Sequence, residues 1–218
     1  MTTGNSDIED ARADIGQALR DLGHSVVGHD AAVEQLAKAA NTLRELTAIL
    51  EKGTFRDRVI ERPTGDWGPA PPDGAEMTSF DERPISGRSS PYGLDMRIVR
   101  DGDEAVAYLT LRSAHEGAPG RAHGGIISAL FDDVFGFVLT IQTVPAFTGE
   151  LTVRYEKGVP LREPLECRVR MTERDGRKIH MTGELTGDDG EGGRTVYTRG
   201  RAIFIAIPPE AFAIRSEG

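Results

Sequence analysis

The stretch HEGAPGRAHGGIISALFDDVFGFVL, residues 115–139, joins a glycine-rich segment directly to a run that is apolar on almost every side. We assign a helix to this apolar run, over Gly125–Thr143. A helix with apolar side chains all round its surface is normally buried. The stretch therefore predicts a glycine-rich loop that leads into a buried central helix.

Short β-like patterns lie on both sides of this helix. The two that precede it are Leu94–Val99 and Ala105–Arg112, and GDE at 102–104 suits the turn between them. The four that follow it are Glu150–Tyr155, Leu165–Thr172, Lys178–Leu185 and Thr195–Ile207. Two strands, one buried helix and four strands predict an α+β fold, in which an antiparallel sheet wraps around the central helix.

The N-terminal region, residues 7–52, has apolar residues at the three- and four-residue spacing of helices. We predict two helices, near 7–22 and 30–52. Two glycines interrupt the pattern, and we assign the histidines at the break to a loop. The interrupting glycines are Gly23 and Gly28, and the histidines at the break are His24 and His29. Asp30 is the candidate N-cap of the second helix, and Gly53 is its candidate C′ residue. The helices either pack on their own domain or a partner subunit, or form a recruitment arm.

Composition shifts divide the chain into four parts. We predict an N-terminal helical extension over 1–62, a linker rich in Pro and Gly over 63–76, a main domain over 77–210 and a tail over 211–218.

Charge and cysteine content exclude several classes of protein. The chain has 218 residues, with 26 Lys and Arg against 35 Asp and Glu, so its formal net charge is −9. This balance argues against a nucleic-acid surface, which needs clustered positive charge. Cys167 is the only cysteine, which excludes a disulfide framework. The acidic N-terminus does not resemble a secretory signal, and we find no run near the roughly 20 apolar residues of a membrane span. We therefore expect a cytoplasmic protein without a membrane span.

Two adjacent carboxylates, Asp132 and Asp133, interrupt the apolar helix. Neighbouring helix positions point about 100° apart, so we expect only one of the two to face the interior. A carboxylate in apolar surroundings has a raised pKa and little hydration, which suits a base or a nucleophile. The alternative is that both side chains point outward or cap a neighbouring loop.

The AHGG motif, residues 122–125, supplies backbone N–H groups at the N-terminus of this helix. Such groups lack acceptors within the helix, and the helix dipole favours negative charge beside them. Glycines also allow a ligand to approach the backbone closely. The motif therefore suits an oxyanion site for a polarised carbonyl, although an ordinary tight turn would contain the same residues.

Helix geometry places the Gly124 N–H and the Asp132 carboxylate far apart on one helix. Gly124 and Asp132 are eight positions apart, which is roughly 12 Å at 1.5 Å per residue, so they cannot reach the same carbonyl from one helix. An antiparallel second copy would bring one subunit's Asp132 beside the other's Gly124. A site that uses both residues therefore points to a two-fold dimer.

The pattern GAPGRAHGGIISALFDDVFG resembles the hotdog-fold acyl-CoA thioesterases, in the branch of the phenylacetate-pathway enzyme and the human thioesterase superfamily members. The later stretch TGELTVRYEKGVPL resembles the strand that follows the helix in that branch. The resemblance covers about residues 77–208. It depends on the order of HGG, an Asp nine residues after the His, and a Thr sixteen residues further on.

The resemblance implies a role for each matching residue. Asp132 matches the catalytic carboxylate, as nucleophile or as general base, and Gly124 matches the backbone N–H that polarises the thioester carbonyl. His123 matches a histidine near the acyl carbonyl, and Thr148 a threonine that positions water or the carboxylate. As further substrate-contacting residues we name Gly125, Asp133 and Arg154. The arginine could meet the phosphates of CoA or be solvated surface charge.

We therefore predict a hotdog-fold acyl-CoA thioesterase without metal or cofactor, assembled as a dimer or a tetramer. One rival is a hotdog hydratase or dehydratase, which usually needs a histidine and a carboxylate arranged differently. The other rival is a non-catalytic module that binds acyl-CoA or an acyl carrier.

Overall fold

The structure is a computed structural model that describes residues 3–56 and 68–208. The chain forms two N-terminal helices, then a six-stranded sheet with one long helix inserted after the second strand. The elements in order are α1 (Thr3–Gly28), α2 (Val33–Leu50), β1 (Arg97–Asp101), β2 (Glu104–Thr110), a 3₁₀ turn (Ser113–His115), α3 (Gly124–Gln142), β3 (Ala146–Tyr155), β4 (Pro164–Asp175), β5 (Lys178–Asp188) and β6 (Arg194–Ala206).

The six strands form one antiparallel sheet in the order β1-β2-β4-β5-β6-β3. Buried and less buried residues alternate along β5, because successive side chains point to opposite faces of a sheet. The buried face of the sheet packs against α3, mainly through β2, β3, β4 and β6. This arrangement confirms the predicted α+β fold, with all six strands present and the first displaced toward its C-terminal side.

The core lies between α3 and the inner face of the sheet. Phe131 and Phe135 on α3 are fully buried, and the ring of Phe135 packs against Phe204 of β6. Gly200 makes room for Phe131, because a Cβ at position 200 would lie 2.5 Å from the ring. The two secondary-structure layers are therefore fitted closely where α3 crosses β6.

The apolar character of α3 comes from this packing. Of the helices in the described part of the chain, α3 alone has the length and composition of a membrane span, although most of it is buried within the protein. The expectation that no apolar run approaches that length was therefore wrong, since α3 has 19 residues. Core helices of folded domains have the same composition.

Both N-terminal helices are present, with boundaries that differ from the prediction. α1 continues through Gly23 to Gly28, so His24 is a buried helical residue and the loop assignment was wrong. α2 begins at Val33, after the N-cap Ala32, and Asp30 is not the cap. α2 buries none of its residues.

α1 packs against the 3₁₀ turn that precedes the glycine-rich loop. The division into four parts stays a prediction. Residues 63–67 of the predicted linker and the whole tail 211–218 lie outside the described residues.

Candidate active site

The glycine-rich loop is held by its own backbone before α3 begins. The Gly117 N–H donates to the Arg121 carbonyl at 2.9 Å, and the Ala122 N–H donates to Val159 at 2.9 Å. Gly120 has φ +71°, a left-handed conformation that glycine adopts without steric cost. The loop therefore reaches the start of α3 in a defined path.

His123 is the N-cap of α3. Its Nδ1 accepts the Gly125 N–H at 3.0 Å, and its carbonyl accepts the Ile126 N–H at 3.0 Å. The carbonyl of a trans peptide points opposite to the N–H that follows it, so the Gly124 N–H points away from the helix. Among the described residues, this N–H has no acceptor. Because the Gly125 N–H already donates to His123, the Gly124 N–H is the one of these two backbone donors that remains available to a ligand.

Tyr155 of β3 contacts this first turn and was not predicted as a site residue. Its hydroxyl donates to the Gly124 carbonyl at 2.8 Å and lies 2.9 Å from Ser128 Oγ. A tyrosine has one hydroxyl proton, so Ser128 donates to Tyr155. The only sequence signal for this contact is the position of Tyr155 in the strand that follows the helix.

Asp132 lies eight residues further along α3, on its exposed side. The Thr148 hydroxyl of β3 donates to Asp132 Oδ1 at 2.7 Å. No donor for Oδ2 is found within residues 3–56 and 68–208. The structure therefore brings together two predicted residues, and leaves one carboxylate oxygen available to a water molecule or a substrate.

Asp133 is the carboxylate that faces the interior. It is 7% exposed; its Oδ1 accepts a hydrogen bond from Arg83 Nε at 2.9 Å and forms an ion pair with Arg83 Nη2 at 2.8 Å. Its other oxygen is buried without a partner among the described residues. The prediction that only one of the two carboxylates faces the interior is confirmed. The expectation of apolar surroundings was therefore wrong for Asp132, since it applies to Asp133, which is paired with a guanidinium. The exposed Asp132 is the candidate for chemistry because it matches the family pattern and is held by Thr148.

Arg83 was not predicted as a partner for the helix. Its Nη2 also donates to the Asp133 carbonyl at 3.3 Å, and the guanidinium carbon lies 5.1 Å from the centre of the Phe137 ring. Gly136 allows this approach, because a Cβ there would lie 2.8 Å from Arg83 Nη2. The segment before β1 is thereby fixed to the middle of α3.

Within one chain, the Arg154 side chain does not lie near Gly124 or Asp132. The neighbouring Tyr155 side chain points toward α3, so Arg154 points to the opposite face of the sheet. There it pairs with Glu156 at 3.1 Å. Its substrate contact stays a prediction.

Burial shifts the pKa values of two groups outside the site. Burial lowers the pKa of His115, at the start of the glycine-rich loop, to about 4. Burial also raises the pKa of the Cys167 thiol in β4, as expected for a core cysteine. No group of three His, Cys, Asp or Glu side chains that could hold a metal ion occurs within the described ranges.

A cleft of about 460 Å³ lies elsewhere, lined by charged side chains of the sheet. Arg168 pairs there with Glu104 at 2.6 Å and with Glu166 at 3.2 Å. These charges already neutralise one another, so the cleft does not compete with Asp132 and Gly124 as the candidate site.

Comparison with known proteins gives consistent results. The family model for the thioesterase superfamily matches residues 119–193. Acyl-coenzyme A thioesterase THEM4 of Mus musculus is 30% identical over 95 residues, which are 44% of this chain and 40% of that protein. Acyl-coenzyme A thioesterase THEM5 of Homo sapiens is 26% identical over 95 residues, 44% of this chain and 37% of that protein. The chain therefore spans less than half the length of these relatives.

A crystal structure of a thioesterase superfamily protein superposes with a TM-score of 0.72 and 23% identity, covering 89% of this chain and 90% of that one. At this identity the match shows the fold, with a sheet wrapped around a central helix. Residues 119–193, which contain α3 and strands β3 to β5, therefore match the thioesterase superfamily, and the chain has the hotdog fold.

Proposed function

We propose that this protein hydrolyses the thioester of an acyl-coenzyme A, with Asp132 as the reacting carboxylate. The observation that carries the proposal is the Asp132 carboxylate itself. It lies on the exposed side of an otherwise buried helix, and one oxygen is fixed by Thr148 at 2.7 Å. The names of the matched relatives, which are acyl-coenzyme A thioesterases, supply the substrate class.

Thioester hydrolysis requires a nucleophile and a donor for the developing oxyanion. As a general base, Asp132 takes a proton from water while the water oxygen bonds to the acyl carbon. The carbonyl oxygen then carries negative charge, which the Gly124 N–H stabilises. When the C–S bond breaks, the thiolate leaves and receives the proton from Asp132. As a nucleophile, Asp132 would instead form an acyl anhydride, which water hydrolyses in a second step.

A second copy of the chain completes the site in this proposal. Gly124 and Asp132 of one helix are roughly 12 Å apart along its axis, which exceeds the reach of one carbonyl. Among the residues that the structure describes, β3 pairs only with β6 and is therefore an edge strand. It presents Phe147 and Tyr155 with more than half of each side chain exposed. An antiparallel pairing of two copies through this side would place each Asp132 beside the partner's Gly124 and would cover the strand edge.

The remaining predicted residues have supporting roles in this proposal. His123 holds the first turn of α3 by accepting the Gly125 N–H, so its ring acts on the donor site through the backbone. Asp133 stabilises the middle of α3 through Arg83 and does not contact the thioester.

The test is thiol release from short-chain, long-chain and aromatic acyl-CoAs by wild type and two variants. Asp132→Asn keeps the shape of the side chain and removes the base or nucleophile, so we expect a loss of at least about 10²-fold in kcat on the preferred class. Asp103→Asn is the matched control, because Asp103 is an exposed carboxylate in the turn between β1 and β2, at the opposite edge of the sheet from β3.

Wild-type turnover that depends on Asp132 and not on Asp103 supports the proposal. Turnover that survives Asp132→Asn unchanged would contradict the role of Asp132. Acyl-CoA binding without thiol release from any class would instead indicate a binding module.

A further inference from the structure

α1 docks on the hotdog domain through polar groups. Arg20 is 7% exposed and donates from Nε to Asp95 at 2.7 Å and from Nη1 to the carbonyl of Ser90 at 2.6 Å. Gly16 lies directly against the backbone of Ser89, since a Cβ there would be 2.6 Å from the Ser89 carbonyl carbon. These contacts fix the helix against the segment that leads into β1.

One turn further along α1, a second anchor contacts the 3₁₀ turn. His24 is 7% exposed, and its Nδ1 accepts the Ala114 N–H at 3.0 Å. The ring of His24 meets that of His115 edge to face, with 4.5 Å between centres. Gly28 continues this contact, because a Cβ there would lie 2.6 Å from Ser113 Oγ.

His115 connects this anchor to the site. Its Nδ1 accepts the Arg112 N–H at 3.0 Å, and its carbonyl accepts the His123 N–H at 2.8 Å. The second bond closes the glycine-rich loop by joining its two ends. The peptide that contains the Gly124 N–H begins at His123, so the position of His115 determines where that N–H points.

We infer that His24 and His115 are positioning residues for the oxyanion donor, and that α1 is a brace that holds the glycine-rich loop in its active geometry. This inference rests on the proposed function, because that function gives the Gly124 N–H its task. α1 itself contributes no group to the reacting atoms. It acts through Ala114, His115 and His123, and each link is a hydrogen bond or a ring contact.

This role explains why the polar side chains of His24 and His115 are buried where α1 contacts the 3₁₀ turn. A buried histidine that accepts a backbone N–H fixes that N–H in one direction, which an apolar side chain does not do. Effective catalysis by an oxyanion donor depends on its placement, and a displacement of about 1 Å is sufficient to reduce turnover by about 10²-fold. Loosening the brace should therefore lower kcat more than it raises KM.

The test compares two substitutions at His24 that differ in which ring nitrogen they imitate. The Asn side-chain oxygen matches the position of Nδ1 and can accept the Ala114 N–H, whereas the Gln oxygen matches Nε2. We expect His24→Asn to keep kcat within about threefold and His24→Gln to lower it about tenfold or more. Arg20→Met is the control, because it weakens the contacts of α1 with Asp95 and Ser90 and leaves the contact between His24 and the 3₁₀ turn in place.

Backbone hydrogen exchange provides a readout that does not require turnover. In His24→Gln we expect faster exchange at the Ala114 and His123 amides, with near-wild-type exchange at both amides in His24→Asn. If wild type releases no thiol, the proposed function fails, and the exchange pattern alone then tests whether α1 holds the glycine-rich loop. Equal kcat for the Asn and Gln variants, or unchanged exchange at His123 in His24→Gln, would overturn it. Arg20→Met that reproduces the kcat loss without an exchange change at His123 would also overturn it.

Discussion

The Thr148 hydroxyl on β3 donates a 2.7 Å hydrogen bond to Oδ1 of Asp132 on α3. The bond joins the edge strand of the sheet to the central helix, and it sets the direction of the carboxylate. A hydrogen bond to a charged group is stronger than one between neutral groups, so the orientation of Asp132 depends on this hydroxyl.

The first prediction concerns this bond. Thr148→Val keeps the shape of the side chain and removes the donor, so we expect kcat for thiol release to fall about 10- to 100-fold, the range of a lost charged hydrogen bond. Thr148→Ser keeps the hydroxyl and should remain within about threefold of wild type. Equal kcat in the two variants would show that the hydroxyl does not position Asp132.

The second prediction concerns the Gly124 N–H. Gly124→Pro removes the donor at a helix position that tolerates proline, and His123 already has the extended conformation that proline requires of its predecessor, with φ −69° and ψ 134°. Loss of an oxyanion donor typically lowers kcat about 10²- to 10³-fold.

Gly124→Ala is the matched control for the added side chain. It keeps the N–H, and it shares with proline a Cβ that would lie 3.1 Å from Tyr155. We expect a much smaller loss of kcat for alanine than for proline. An equal loss in both variants would assign the effect to crowding at Tyr155 and would remove the evidence for an oxyanion donor.

The third prediction concerns the ion pair between Arg83 and Asp133. Arg83→Met leaves a carboxylate that is 7% exposed without its guanidinium. Because Arg83 itself is partly exposed, we expect a loss of about 2–4 kcal/mol in the free energy of unfolding, measured by urea denaturation. The double variant Arg83→Met/Asp133→Leu should recover most of that loss, since no charge is left buried. A double variant as unstable as the single would mean that Arg83 acts through packing alone.

The fourth prediction is a pH dependence of stability. Burial lowers the pKa of His115 from 6.5 to about 4, and it also lowers the pKa of His24. Between pH 6.5 and about 4 the unfolded chain therefore binds protons that the folded chain does not. The contribution of His115 to stability is fully present above pH 6.5 and is lost as the pH falls toward 4, by at most about 1.4 kcal/mol per pH unit. His24 adds a loss of the same sign.

The groups near this pair modify the effect in both directions. Arg112 favours the neutral form of each ring, and Asp95 favours the charged form. His115→Asn should flatten the dependence seen in urea denaturation between pH 7.5 and 4.5. His29→Asn is the control, because His29 is exposed after the end of α1. A wild-type curve that is flat in this range would contradict the assignment of neutral buried histidines.

Periodicity in the sequence predicted the elements that carry the fold. The apolar run of α3 and the six strand patterns could be assigned because residues of each element repeat at a local spacing. The contact between Thr148 and Asp132 was anticipated only through the resemblance to a family, because sixteen residues and a turn separate the two.

Contacts between distant segments could not be predicted in this way. Arg83 lies in a segment without periodicity, 50 residues before its partner Asp133. The choice between Asp132 and Asp133 as the interior carboxylate also depends on which side of α3 meets the sheet. His24 was assigned to a loop because glycines usually interrupt helices. A glycine within a helix costs only about 1 kcal/mol, which the packing of α1 against the 3₁₀ turn offsets.

The most direct test of the central claim is to mix two inactive variants, Asp132→Asn and Gly124→Pro, under conditions that exchange subunits. If each site uses Gly124 from one copy and Asp132 from the other, a mixed dimer contains one intact site and one doubly defective site. With random exchange half of the dimers are mixed, so we predict recovery of about a quarter of wild-type thiol release. Thiol release that stays at the level of the separate variants, while subunit exchange is demonstrated by differently tagged copies, would contradict a site shared between two subunits.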